Sequence, residues 1–484
     1  MVTITEQRAR SGRGVELVLL LLALAVGLYA YAQVGLATTG ALPVGMAVHG
    51  GSLAVLALGT HVVLRWRASY ADPVILPVVV ALNGIGLAMI YRLDQAYEAA
   101  DRTAGFADRQ VLWTAIGVLA AVGVLIALRD HRTLRRYTYT AMVAGLVLLL
   151  LPLLPGLGKT INGARIWIGI GPLSFQPAEL AKIVLAVFFA GYLVTQRDNL
   201  ALAGPKVLGL QLPRLRHLGP ILLAWGVALV VLVFQRDLGA ALLFFALFVA
   251  MLYVATERLS WVIIGLLLFG GGAALAATAF PHVGARFDVW LDALSPEIYN
   301  RQPGGSYQVV QGLFGLASGG LMGTGWGEGR PDVVPFANSD FIIASLGEEL
   351  GLTGLIAILV CYLLLAERGL RAAIGVRDGF GKLLASGLAF VVAFQCFVVV
   401  GGVTRLIPLT GLTMPFLAQG GSSLLVNWMI VALLLRVSDS ARRPAPLTGD
   451  LPIAPIAGGG PSVPVDGGMP EADDSSPTEV VRLR

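Results

Sequence analysis

Charge is what this chain has least of. Of its 484 residues, 13% are Asp, Glu, Lys or Arg, and 56% are hydrophobic. A water-soluble domain carries about a quarter charged residues, so a soluble globular protein is excluded. Cysteine is almost absent: the two, Cys361 and Cys396, both lie inside apolar runs, where a thiol serves as a small hydrophobe. Nothing in the sequence requires them to pair. There is no internal repeat of the kind that marks many transporters. Short alternating segments, the mark of a membrane β-barrel, are missing as well. The excess of basic residues is scattered among loops, which argues against nucleic acid as a partner.

What is present is a series of apolar runs, many long enough to cross a bilayer as helices. Twelve segments stand out, at 15–37, 45–64, 74–91, 110–128, 137–154, 177–194, 218–234, 238–255, 260–281, 341–366, 383–403 and 414–435. They predict an all-α polytopic integral membrane protein of about 12 transmembrane helices. The first run is too long for a signal-peptide core and lacks a cleavage site, so it reads as a retained span. Three residues, Gln235-Arg236-Asp237, separate the seventh and eighth runs, which implies a tight hairpin turn or a break in the backbone.

Lys and Arg accumulate on the side of the N-terminus when the spans alternate, which predicts both termini in the cytoplasm and Asp237 outside. Residues 1–14 are then a cytoplasmic N-terminus and 15–439 the membrane domain. Residues 155–176 form a Gly-rich outer loop. Residues 282–340 form a long outer loop whose Trp290, Tyr299, Tyr307 and Trp326 favour a folded piece. Residues 440–484, rich in Pro, Gly and Asp, read as a disordered cytoplasmic tail.

Few polar side chains interrupt this background. Asp237, between two apolar runs, is either a desolvated general base or the N-cap of the helix that starts at Leu238. Glu179 and Lys182 are three apart after Pro177, so they share a helix face and either neutralise each other or line a cavity. Arg165 can grip phosphate oxygens in a fork, with Lys182 as a point charge beside it. Glu348 and Glu349 are adjacent in a span and point about 100° apart, so they do not share a proton. One can take a basic partner while the other orients substrate or a metal; helix–helix contact is the equal alternative. Gly420, Gly421, Ser422 and Ser423 offer backbone N–H groups at a helix start, suited to an anion or to close packing. Arg405 lies on the same side and is a further anion ligand candidate. Mid-depth charge is otherwise sparse, which disfavours an ion-coupled transporter.

Five runs in this order, NGARIWIGIGPLSFQPAELAKI, FQRDLGAALL, YQVVQGLFGLASGGLMGTGWGEG, DFIIASLGEELGLTG and RLIPLTGLTMPFLAQGGSSLLVNW, resemble the SEDS family of RodA, FtsW and SpoVE. The resemblance covers about residues 70–440. VTRLIPLTGLT and ADPVILPVVVALNGIGLAMIYRLD look like its actinobacterial RodA branch. The latter follows a helix pair beyond the family's usual ten spans.

The resemblance implies the SEDS fold and a peptidoglycan glycosyltransferase that polymerises lipid II on the outer face of the cytoplasmic membrane. It makes Asp237 the catalytic acid/base. It places Arg165, Glu179, Lys182, Glu348, Glu349, Arg405 and Gly420 to Ser423 at the substrate. A divalent cation, Mg2+ or Mn2+, is the candidate cofactor at the pyrophosphate, and a class B penicillin-binding protein the implied partner. Two positions depart from many relatives: Ala418-Gln419 replaces Ser-Tyr, and Asn338-Ser339 replaces His-Thr. A septal FtsW-type polymerase, a lipid II flippase and an inactive scaffold are the alternatives.

Overall fold

The computed structural model describes residues 12–161, 163–171, 173–201, 206–207, 210–211, 226–227 and 235–444. Eleven helices among them are long and apolar enough to cross a membrane. The predicted segment at 218–234, apart from 226–227, and the tail beyond 444 lie outside the described residues.

Four helices come first: α1 (Arg13–Thr39), α2 (Met46–Arg67), α3 (Ile75–Ala99) and α4 (Phe106–Ala127). The fifth span combines a 3-10 turn, helix α5 (Thr138–Leu150) and a second 3-10 turn at Leu151–Leu153. Then follow α6 (Pro177–Ala201), α7 (Leu238–Thr256) and α8 (Leu259–Ala279). The segment between α8 and the next span contains α9 (Pro281–Leu291), α10 (Pro296–Asn300) and α11 (Tyr307–Gly319). The chain closes with α12 (Ile342–Gly375), α13 (Gly379–Val403) and α14 (Gly421–Arg442).

Helices in lipid gain little from apolar burial, so close packing through small residues holds them together. Gly27 of α1 and Gly84 of α3 meet backbone to backbone; a Cβ on Gly27 would lie 3.0 Å from the Gly84 Cα. In α12, Gly351 has φ 68° and ψ −172°, which kinks the span. A side chain at Gly351 would also fall 2.2 Å from the Gly323 nitrogen, so this corner fits glycine alone.

Two expectations need correction. Residues 155–176, read as a Gly-rich loop, contain a sheet. Strands β1 (Gly158–Ile161), β2 (Ala164–Ile170) and β3 (Leu173–Phe175) form an antiparallel sheet in that order. Ile166 and Ile168 alternate with Arg165 and Trp167, which suits a strand, and Gly163 turns the hairpin at φ 78°. The last span does not begin at residue 414. Residues 414–420 precede the helix as a non-helical segment, and α14 starts at Gly421. Pro415 and paired glycines are poor helix interior residues, which is why the apolar run outlasts the helix.

Candidate functional site

Asp237 lies just before α7 and is 8% exposed. Its Oδ1 accepts the Ala240 N–H at 2.9 Å, the geometry of an N-cap. Its Oδ2 accepts the side-chain amide of Gln176 at 3.0 Å. Burial pushes the carboxyl above its usual range, and the nearby Glu179 charge adds to that rise. The hydrogen bonds from Ala240 and Gln176 and the Arg286 charge pull the other way without cancelling it.

Gln176 ties three elements together. It sits between β3 and α6, and its backbone N–H donates to Ser422 Oγ at 3.0 Å. Ser422 is in the first turn of α14, so Ser422, Gln176 and Asp237 form a continuous chain of hydrogen bonds. Gly421 lets that turn approach α4, since a Cβ there would fall 2.1 Å from the Trp113 ring. No side chain caps α14, leaving its first N–H groups without side-chain partners. Ser423 Oγ accepts Asn427 Nδ2 at 3.2 Å.

One turn into α6, Glu179 and Lys182 form a buried ion pair at 2.6 Å. Lys182 Nζ also donates to Gln395 Oε1 at 2.9 Å, and Gln395 Nε2 donates to the Thr413 carbonyl at 2.8 Å. The lysine therefore links α6, α13 and the segment before α14.

Arg286 of α9 is the cation that sequence reasoning missed. Its Nη1 donates to the carbonyls of Leu409 and Thr410 at 2.8 and 2.9 Å, and its charge acts on both Asp237 and Asp340. Burial pushes the Asp340 carboxyl up, while the Ser339 hydroxyl and Arg286 oppose the shift. Gln176 was missed as well. Its only signal was its place before Pro177, at the entry to a span.

The remaining sequence candidates go elsewhere. Arg405 donates to the carbonyls of Trp290 and Leu291 at 2.8 and 3.3 Å, while Trp290 Nε1 returns a bond to the Arg405 carbonyl at 3.0 Å. It clamps the end of α9 rather than presenting a free fork to an anion. Arg165 Nη2 donates to the Leu154 carbonyl at 3.0 Å from the hairpin. Glu349 takes Arg92 of α3 at 2.9 Å and the Gly327 N–H at 3.0 Å. Glu348 accepts the Arg330 N–H at 2.8 Å. Those two carboxylates brace the 327–330 segment, and their bonds do not run to the Asp237 cluster.

Asn338 and Gln419 touch each other. Gln419 N–H donates to the Asn338 carbonyl at 2.8 Å, and the Asn338 side-chain amide donates to Gln419 Oε1. This clip joins the strand of chain before Asp340 to the entry of α14.

A largely apolar groove of about 830 Å³ opens beside this cluster. Leu238, next to Asp237, and Arg286 lie on its wall, and Phe245, Phe269, Phe390 and Phe394 line its depth. It runs among α7, α8, α9 and α13.

The donor set does not fit a resident metal. Among the described residues, no group of three His, Cys, Asp or Glu is placed to hold a metal ion. Both Asp237 oxygens already accept hydrogen bonds, and Glu179 is paired with Lys182.

The family model described as cell cycle protein, covering FtsW, RodA and SpoVE, matches residues 73–443. The chain is 51% identical over 386 residues to the peptidoglycan glycosyltransferase RodA of Mycobacterium tuberculosis, covering 79% of this chain and 81% of that one. It is 33% identical over 395 residues to a probable peptidoglycan glycosyltransferase FtsW of Trichlorobacter lovleyi, covering 79% and 97%. A chain from a solved structure, titled as the structural coordination of polymerization and crosslinking by a peptidoglycan synthase complex, superposes with TM-score 0.60 at 27% identity, covering 77% and 98%.

Proposed function

The chain belongs to the FtsW/RodA/SpoVE family of cell cycle proteins, and from that membership we propose that Asp237 is the acid/base of a peptidoglycan glycosyltransferase of the RodA type. The activity rests on 51% identity to RodA against 33% to FtsW, which favours cell elongation over septation. The observation that carries the site is Asp237 itself: a buried carboxylate, raised in pKa, next to an apolar groove and the half-buried Arg286.

The substrate in this reading is lipid II, a disaccharide-peptide on a polyprenyl pyrophosphate. Asp237 takes the proton of the acceptor sugar's 4-hydroxyl as that oxygen attacks the anomeric carbon of the donor. The bond from the anomeric carbon to the pyrophosphate breaks, and the lipid pyrophosphate leaves with the electron pair. A base whose pKa sits above the usual carboxylate range accepts a proton more readily at neutral pH. Arg286 and the uncapped start of α14 supply positive potential for the leaving pyrophosphate, while Lys182 is held against Glu179. The polyprenyl chain lies in the groove lined by Phe245 and Phe394. No step runs through Mg2+ or Mn2+; a divalent cation of that class would arrive with the pyrophosphate.

The chain is a multi-pass membrane protein. The positive loops support an orientation with both termini in the cytoplasm and Asp237 on the outer face, where lipid II is polymerised. The partner in this reading is a class B penicillin-binding protein, which cross-links the glycan. The likeness to a synthase complex supports that pairing.

A lipid II flippase would need a polar path for the headgroup and no acid/base. Polymerisation of purified lipid II by the reconstituted protein tests the reading. Glycan strands are expected from the wild type, and translocation without strands would favour the flippase.

A further inference from the structure

At the end of α14 away from Ser422, roughly 20 Å along the helix axis, three helices finish together. Arg67, the last residue of α2, donates to the Ile126 carbonyl near the end of α4. Arg436 of α14 donates to the carbonyls of Arg67 and Leu125 at 2.7 and 2.5 Å. The final carbonyls of a helix have no partner inside it, so these two arginines cap two helix ends at once. Each keeps a buried Nε without a hydrogen-bond partner, and Arg436 is 3% exposed.

Around the buried Arg436 and the half-buried Arg67 lies an exposed ring of cations. Arg65, Arg129, Arg135 and Arg136 all face outward. The acidic groups nearby are already engaged. Asp130 accepts the Arg132 N–H at 2.9 Å. Asp378 is held by His131 at 2.9 Å and Arg132 at 3.2 Å. Asp439 is held by Arg443 at 2.7 Å and lies 3.9 Å from Arg436. The exposed cations Arg65, Arg129, Arg135 and Arg136 outnumber the exposed carboxylate beside them, Asp130.

The same end carries aromatic and apolar side chains with no protein cover. Trp66 is 72% exposed and lies under the Arg67 guanidinium at 5.0 Å. Tyr137 is 45% exposed and lies under Arg136 at 4.6 Å. Exposed Val62 and Ile126 continue from there along the flanks of α2 and α4.

We infer that these three helix ends bind the phosphate headgroup of an anionic glycerophospholipid, distinct from the substrate site at Asp237. Arg67 and Arg436 fix the helix ends through backbone carbonyls, and the exposed Arg129, Arg135 and Arg136 are the guanidinium groups that reach the phosphate oxygens. The aromatic rings sit where such rings meet the headgroup layer. Val62 and Ile126 give the acyl chains an apolar wall, which a soluble anion would not use. The inference is independent of the glycosyltransferase reading.

The test is native mass spectrometry of the full-length protein in mild detergent, titrated with phosphatidylglycerol or phosphatidylcholine. The comparison variant is Arg129→Gln/Arg135→Gln/Arg136→Gln, whose residues are all exposed, with a thermal melt to verify folding. The wild type is expected to retain phosphatidylglycerol at least tenfold more tightly than phosphatidylcholine, and the folded triple variant to lose that preference. Equal retention of both lipids by the wild type would overturn the inference. So would an undiminished preference in the variant. Displacement of phosphatidylglycerol by an equal concentration of inorganic phosphate would also overturn it, assigning a soluble-phosphate site instead.

Discussion

The Gln176 side-chain amide lies 3.0 Å from Asp237 Oδ2, while the Gln176 backbone N–H holds Ser422 at 3.0 Å. One residue thus fixes the candidate base against the start of α14. The amide favours the charged carboxylate, whereas burial favours the neutral acid, and burial dominates.

That balance sets a pH dependence. A base works deprotonated, so polymerisation is expected to rise with pH through a value above the ordinary carboxylate range. Gln176→Leu removes a donor to the charged form, so the Asp237 pKa moves further up. A hydrogen bond to a charged group contributes about 1.5 kcal/mol or more, equivalent to about one pH unit. The acid limb of the pH–rate profile is expected to shift upward by that amount. A downward or absent shift would contradict the bond's assigned role. The stability sign follows too. With the folded pKa raised, ionising Asp237 costs stability, and the loss appears as pH rises through the folded value.

Lys182 and Glu179 form a buried pair, exposed 2% and 5%. Lys182→Met leaves the Glu179 carboxylate without its cation, at a cost of about 3–5 kcal/mol. Thermal unfolding in detergent is expected to show a clear drop. Lys182→Met/Glu179→Leu is expected to recover most of it without restoring activity. Failure of the double variant to recover would mean that the pair does more than balance charge.

Gly421→Ala drives a methyl into the Trp113 ring, with overpacking worth about 1–3 kcal/mol. Trp113→Leu in the same chain makes room and is expected to restore most of the melting temperature. Because α14 carries Ser422, the single variant is also expected to lose polymerisation faster than stability.

Asn338 and Gln419 bond to each other by two routes. Alanine at either position breaks the side-chain bond, so a double-mutant cycle on stability is expected to show a coupling of about 0.5–3 kcal/mol. Additive effects would mean that each residue acts through other contacts.

The sequence made the spans readable because lipid demands continuous apolar helices. The runs at 74–91 and 341–366 fall on α3 and α12, although both helices continue past the apolar stretch. Asp237 was readable because a lone carboxylate between apolar runs is costly. The sequence left cap and base open as alternatives, and of the two the structure shows the cap, from the Ala240 N–H to Asp237 Oδ1. Arg286 and Gln176 were hidden because their roles come from distant partners, Thr410 and Ser422. Arg405 was plain in the sequence as a charge, but the Trp290 and Leu291 carbonyls that its Nη2 binds were not. The sheet at 158–175 was masked by its glycines, which read as loop until pairing is known.

Asp237→Asn separates the two uses of the carboxylate most directly. Asparagine caps a helix as well as aspartate does, whereas it cannot take the proton. Wild type, Asp237→Asn and Asp237→Ala are to be compared in polymerisation of purified lipid II, each with its unfolding temperature. The expected result is strands from the wild type alone, near-wild-type stability for Asp237→Asn, and a loss of about 1 kcal/mol for Asp237→Ala. Strands made by a stably folded Asp237→Asn protein would contradict the account and leave Asp237 as a helix cap only.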